Sequence, residues 1–426
     1  MLHLINLLLV SAVLLAACNQ TTPTTLPIQP TASIPLPTTV QPTLTPTPIQ
    51  GTVSIWHSLE EAQVPALEQI ITDFQVSYPG IQFDVLYMPL ENMQKRYDEA
   101  MREGYGPDIL FGPASWGPPL FDSGLVMDLS NLAGKDFLTT FNQAALESGR
   151  YKEALVGLPF VIRGVTLYRN KTIIPQPAST FDQLVLLAKS ATQGEKNGAF
   201  LDRGFYFAGG HLLGIDGVLM SPDGMPAFNN EKGIAWLELL KSFEQAGPTD
   251  FLSEDDLEAF KEGKVGFIID GTWNLEAIGA AVGAENLAID PWPSYRDGYL
   301  SGFVQSDNVY LSKSAAQESH AASWKFVEYF LSPEAQTHLT EVGLIPAVSG
   351  VRVADPVRNV LISQAIAALA GGVPYPIVAA VEAYIGPMDL ALRSFFDGRI
   401  SAPEALKISA ETIQAALAGM NVTPTP

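Results

Sequence analysis

The chain has 426 residues, a single cysteine and a formal net charge of −21. So acidic a protein is excluded from nucleic-acid binding, which demands a basic face, and one cysteine excludes both a disulfide framework and a thiolate metal site. The length beyond the N-terminal segment exceeds what one core holds, so two lobes are expected.

Leu4 to Ala17 form an apolar run interrupted only by Asn6 and Ser11. It is too short to span a bilayer and reads as the hydrophobic region of a signal peptide, residues 1–17. Its end, Leu15-Ala16-Ala17-Cys18, resembles the bacterial lipobox, which implies cleavage before Cys18 and lipidation of that cysteine. Met1-Leu2-His3 departs from the pattern in lacking Lys and Arg. Residues 18–50 are Thr/Pro-rich, and no Asp, Glu, Lys or Arg precedes Glu60. Such a segment buries no core and is expected to be an extended stalk. At about 3.1 Å per residue it reaches on the order of 100 Å. The expected location is the outer face of the cytoplasmic membrane, lipid-anchored.

The folded part opens as an α/β protein. Val53 to Trp56 reads as a strand, and Leu67, Ile70, Ile71, Phe74 and Tyr78 follow helical spacing up to Pro79-Gly80. Ile81, Phe83, Val85 and Tyr87 alternate as a strand does. A helix follows from about Leu90 to Glu103, then a strand at Ile109–Phe111. Strand, helix, strand, helix, strand implies a parallel, doubly wound sheet, with ligands beyond the carboxyl ends of its strands. Trp56-His57-Ser58 and Gly112 to Trp116 lie at two such ends. Further on, short strands are expected at Leu155–Leu158, Thr166–Tyr168, Val265–Ile269 and Val309–Leu311. Ala316–Leu331, Ile362–Leu369, Val381–Phe396 and Ala402–Leu417 read as helices. There is no internal repeat.

Several segments then resemble one family. They are Gly106-Pro107-Asp108-Ile109-Leu110-Phe111 with Ser123–Leu129, Tyr151–Pro159 with Leu167–Lys171, and Phe260–Val265 through Asp270-Gly271-Thr272-Trp273. Ser323–Gln336 and Gly343-Leu344-Ile345-Pro346-Ala347 complete the set. In this order they resemble the extracellular solute-binding proteins of ABC importers, family 1, which includes maltose-binding protein. The resemblance implies a periplasmic-binding-protein-like fold of type II, two doubly wound α/β lobes joined by a multi-strand hinge. Residues 51–161 with 308–365 would form the first lobe, 162–307 with 366–420 the second, and 421–426 a tail. It also implies closure of the lobes over a solute, expected to be a carbohydrate, and delivery to ABC permease subunits by a monomer.

A cleft that binds sugar needs aromatic faces for the pyranose ring and side chains with several hydrogen-bonding positions for the hydroxyls. Trp273, which matches the position of a stacking aromatic in maltose-binding protein, and Trp116 are read as cleft residues. Trp56 is read as cleft or core, Trp236 and Trp324 as core, and Trp292 as either. The polar candidates are His57, Ser58, Glu60, Ser115, Arg163, Asp270, Gln305, Asp307 and Asn308. Arg163 stands where maltose-binding protein carries an acidic contact; it suits hydroxyls, an acidic group, or a salt bridge to the other lobe. Asp270 suits hydroxyls or a helix cap. Tyr384 lies near the family's last cleft aromatic, and Phe205–Phe207 near another contact region.

No catalytic motif is present: no G-x-S-x-G elbow, phosphate loop, G-x-G-x-x-G or H-E-x-x-H. The histidines lack metal-ligand spacing, and no cofactor or metal is expected. A glycoside hydrolase needs only two carboxylates, for which Glu60, Asp270 and Asp307 qualify nominally. The remaining alternatives are a binding protein for polyamines or other small solutes and a sensor or adhesin on the same fold.

Overall fold

The computed structural model describes residues 49–313 and 317–419. The signal peptide, Cys18, most of the Thr/Pro segment and the tail lie outside the described residues. Within them, no helix is long and apolar enough to cross a membrane.

Strand Gly51–His57 pairs in parallel with Ile81–Tyr87 on one side and Ile109–Pro113 on the other. Parallel neighbours need a crossover, and helices Val64–Ser77 and Leu90–Glu103 supply it. The first helix has Pro65 in its opening turn and turns Ala66, Leu67, Ile70 and Phe74 inward, the period read from the sequence. The second ends at Gly104, whose φ of 83° is a left-handed cap and whose N–H bonds back to Ala100 and Met101.

The expected short strands at Leu155–Leu158 and Thr166–Tyr168 take a different form. Ala154–Leu155 pairs with Arg150–Tyr151 as a small hairpin. One thirteen-residue strand, Leu158–Asn170, then runs through the centre of the molecule. Its first half pairs antiparallel with Phe303–Leu311 and Ile345–Pro346. From Val165 onward its partners are Val265–Gly271 and Leu287–Asp290. Phe303–Leu311 also pairs antiparallel with Ile109–Pro113, so the first group of strands is mixed where an all-parallel sheet was expected. The returning chain enters that sheet against the direction of its neighbours.

Separate apolar cores cover the two strand groups. Val53, Ile55, Leu67, Phe74, Phe111 and Phe160 pack with Phe326, Phe330 and Leu339 around the first. Leu167, Phe181, Phe205, Trp236, Phe267 and Phe303 pack with Tyr384, Leu406 and Ile413 around the second. A third cluster gathers Ile162, Tyr168, Ile268, Ile289 and Ile345 against helix Pro356–Ala370, where the long strand changes partners. Trp236 is core and donates its indole N–H to Ala208 O at 2.9 Å. Trp324 is half-buried against the first core. Trp292 is buried edge-on to His211.

Candidate functional site

Two cavities open at the carboxyl ends of the parallel strands. The first, about 270 Å³, is lined by Ser58, Leu59 and Glu60 after the first strand, Tyr87 and Leu90 after the second, and Gly112-Pro113 after the third. Phe160, Arg163 and Asp307 from the central strands complete it. The second, about 550 Å³, takes Gln94, Ser115, Trp116 and Pro119 from the first strand group. From the second group come Tyr206, Gln305, Tyr375, Val378 and Ile385. Leu90, Glu91 and Pro113 line both, so the cavities adjoin.

The fold explains why these side chains gather. The loops at the carboxyl ends of the parallel strands lead into the crossover helices and leave a crevice outside the sheet where they diverge. Trp116 lies over Gly112, where a Cβ would come within 2.4 Å of the indole ring. Trp273 repeats the device: a Cβ at Gly271 would lie 2.1 Å from its ring. Each tryptophan is thus laid along the end of its strand by a glycine that leaves room for it.

The sequence-derived candidates separate by position. Ser58, Ser115, Trp116, Arg163 and Asp307 line the cavities, as do Glu60 and Gln305. Trp116 is largely buried with Met93, Tyr97 and Tyr310, so one edge of it borders the space. Trp56 packs edge-on to Tyr97 at 6.5 Å and lines neither cavity. His57 is buried; its Nδ1 accepts from Leu59 N–H at 3.2 Å, and burial lowers its pKa, which keeps it neutral. Trp273 is half-buried against Tyr206 at 5.9 Å and Phe207 at 6.3 Å and lines neither cavity.

Asp270 and Tyr384 do not reach the cavities. Asp270 accepts from the adjacent Gly271 N–H and from Asn274 Nδ2, and it caps neither the helical turn nor the helix that follows. It sits among Asp202 and Asp256, and burial raises it to about 6. Tyr384 is wholly buried and donates its hydroxyl to Gly224 O at 2.8 Å. Ile385, one residue on, lines the second cavity instead. Asn308 is buried, with its Oδ1 accepting from Ser306 Oγ.

Arg163 and Asp307 meet. Arg163 Nε lies 2.6 Å from Asp307 Oδ2, though its N–H is not aimed at that oxygen, so the contact acts mainly through charge. Burial pushes the Asp307 carboxyl up while the guanidinium pulls it down; the upward effect is the larger. Nearby, Gln305 Nε2 donates to Tyr206 Oη at 3.0 Å. Tyr206 and Tyr375 stand 5.7 Å apart, tilted, and form an aromatic wall with Phe303. Tyr375 falls outside the candidates that the sequence pattern marks. Its only signal is an aromatic between Pro374 and Pro376, outside any periodic segment.

A profile of bacterial extracellular solute-binding proteins matches residues 69–360, more than half of the chain. The chain belongs to that family. Among relatives of this solute-binding protein, a maltotriose-binding protein of Pyrococcus abyssi is 25% identical over 324 residues, 72% of this chain and 69% of the relative. A galactooligosaccharide-binding protein of Bacillus subtilis is 27% identical over 333 residues, 72% of this chain and 76% of the relative. Among solved structures, the GacH receptor of Streptomyces glaucescens superposes with a TM-score of 0.74 at 22% identity. The match covers 87% of this chain and 99% of that one, and it carries the fold: the periplasmic-binding-protein-like architecture expected from the motifs.

Proposed function

We propose that this solute-binding protein is the capture subunit of an ABC importer and takes an oligosaccharide into its two adjoining cavities. The observation that carries the reading is the pairing of aromatic faces with hydroxyl-matching groups in one space. Trp116, Tyr206, Tyr375 and Tyr87 offer ring faces or edges, while Arg163, Asp307, Ser58 and Ser115 offer donors and acceptors. The space is drawn from both strand groups, as an interlobe site requires. Relatives named for maltotriose and galactooligosaccharides agree with a ligand of more than one ring.

The lobes of this reading are residues 51–161 with 308–365 and 162–307 with 366–420. Supporting it, the long strand changes partners at Gly164–Val165, and a separate core packs on either side. Ligand closes the lobes because it contacts both and therefore binds the closed state more tightly. A lipid on Cys18 and the Thr/Pro stalk hold the protein outside the membrane beside its permease. The protein binds without catalysis. Of the carboxylates nominally able to form a glycosidase pair, Asp270 is buried away from the cavities with Gly271 N–H and Asn274 as its partners, and Asp307 is in contact with Arg163.

Calorimetric titration with maltotriose and a galacto-oligosaccharide, followed by chromatography of the sugar, tests this directly. The expected result is saturable binding with the sugar recovered intact. Hydrolysis products would overturn the binding-protein reading, and absence of binding to any oligosaccharide would overturn the ligand class.

A further inference from the structure

Arg163 and Asp307, of opposite charge, both line the first cavity. The two residues lie on neighbouring antiparallel strands: Arg163 stands opposite Gln305, and Asp307 opposite Val161. Asp307 is enclosed, its side chain 10% exposed, while that of Arg163 is 24% exposed and lines the cavity beside it. Among the described residues no other protein side chain hydrogen-bonds either group, and the Nε–Oδ2 contact itself is misaligned. A buried ion pair in a finished core has its remaining positions satisfied by neighbours. Here they are left to whatever enters the cavity.

The chemistry of what fits follows from the two inventories. A guanidinium is a fork of donors with no acceptor, and an ionised carboxylate only accepts. A hydroxyl does both. Two adjacent hydroxyls therefore accept from the free Arg163 N–H groups and donate to Asp307, and both charges remain paired. We propose that Arg163 and Asp307 form a charge-compensated clamp that selects an uncharged ligand with neighbouring hydroxyls and rejects both uronates and amines at this position. The inference rests on the reading of the cavities as a sugar site. A uronate there would lie against Asp307, with Glu60 and Glu91 lining the same space. An amine would lie against Arg163. The position of Asp307, raised by burial and pulled back by its partner, is consistent with a carboxylate whose charge depends on that arginine.

The test compares three probes on three proteins by calorimetry: maltotriose or a galacto-trisaccharide, tri-galacturonate, and spermidine, on wild type, D307N and R163Q/D307N. Wild type is expected to bind a neutral trisaccharide and to discriminate against the other two probes by about tenfold or more, the scale of one charge-assisted hydrogen bond. D307N unmasks the Arg163 charge, so its affinity for tri-galacturonate relative to the neutral sugar rises about tenfold or more. The double variant, with both charges gone, loses that gain. A pair that only braced the hinge would alter melting temperature and leave these ratios unmoved. An unchanged ratio in D307N, or a wild type that prefers tri-galacturonate or spermidine, overturns the clamp while leaving a solute-binding cavity intact. A wild type that binds none of the sugars overturns the sugar site and the clamp together.

Discussion

Asp256 lies almost fully buried, with the carboxylates of Asp202, Asp250 and Asp270 close enough to act on it. Burial first, then those charges, raises its pKa from 3.8 to about 9. The folded protein therefore holds a proton that the unfolded chain releases. Between the two values folding takes up a proton, so this contribution to stability is lost as pH rises through the folded pKa. Asp256→Asn keeps the donor facing Asp250 and removes the titration. At pH 8 the variant should gain about 1 kcal/mol or more over wild type, roughly 2–4 °C in Tm, and little at pH 4. Equal gains at both pH values in a melting series would refute the buried proton. The cavity and its neighbours yield a second contrast at this scale. Tyr375→Ala should weaken oligosaccharide binding by about 1–3 kcal/mol, the worth of a covered ring. Tyr384→Phe should cost about 1 kcal/mol of stability through the lost bond to Gly224 O and leave affinity alone. Calorimetry and thermal melts on both variants separate the roles, and an affinity loss in Tyr384→Phe would bring that residue back to the site. The sequence offered Tyr384 and omitted Tyr375 for a physical reason. On helix Glu382–Phe396 adjacent residues point about 100° apart, so a one-residue uncertainty in alignment decides between core and cavity. The loop at Tyr375 has no period from which a facing can be read.

Elements show the same division between patterned and unpatterned chain. Leu90–Glu103 forms where the sequence places it, with Met93, Tyr97, Ala100 and Met101 inward and its other face in water. Ile81–Tyr87, by contrast, forms as an edge strand in which only Ile81 is buried and Val85 to Tyr87 are exposed. Leu158–Asn170 was seen only as fragments. It is buried on both faces over nearly its whole length, and a strand without a wet face does not alternate. Its second arginine, Arg169, looks out of place until its partner is known. Nε and Nη2 bond to Asp290 at 2.6 and 3.0 Å, and Nη1 bonds to the carbonyls of Ile174 and Pro175. Strand Leu287–Asp290 and the turn after the long strand are thereby fixed to it. Asp290→Ala leaves a buried guanidinium uncompensated and should cost about 3–5 kcal/mol, seen as a lowered urea midpoint. A loss below about 1 kcal/mol would mean that water reaches Arg169 and that the pair holds little together.

At the scale of the whole molecule, what matters is how few strands pass between the two cores. Leu158–Asn170 carries the chain across at Gly164–Val165, and Phe303–Leu311 brings it back; Val304 pairs with both Gly164 and Pro374. The third apolar cluster lies on the same crossing and involves Ile162, Ile345 and Leu361–Leu369. Each core is packed within itself, so relative motion of the halves disturbs the crossing and this cluster and little else. On the proposed two-lobe reading, the halves turn about this crossing. A sugar touching Trp116 on one side and Tyr206 and Tyr375 on the other gains contacts only as the halves approach. Its differential affinity for the closed form is then the driving force. Small-angle scattering with and without a saturating oligosaccharide should show a smaller radius of gyration in its presence, and Tm should rise with ligand concentration, by about 2.7 kcal/mol of added stability at a hundred times Kd. The two readouts part company in an informative way. A thermal shift without compaction would place the ligand on one half alone, and the crossing would then be a fixed strut instead of a hinge.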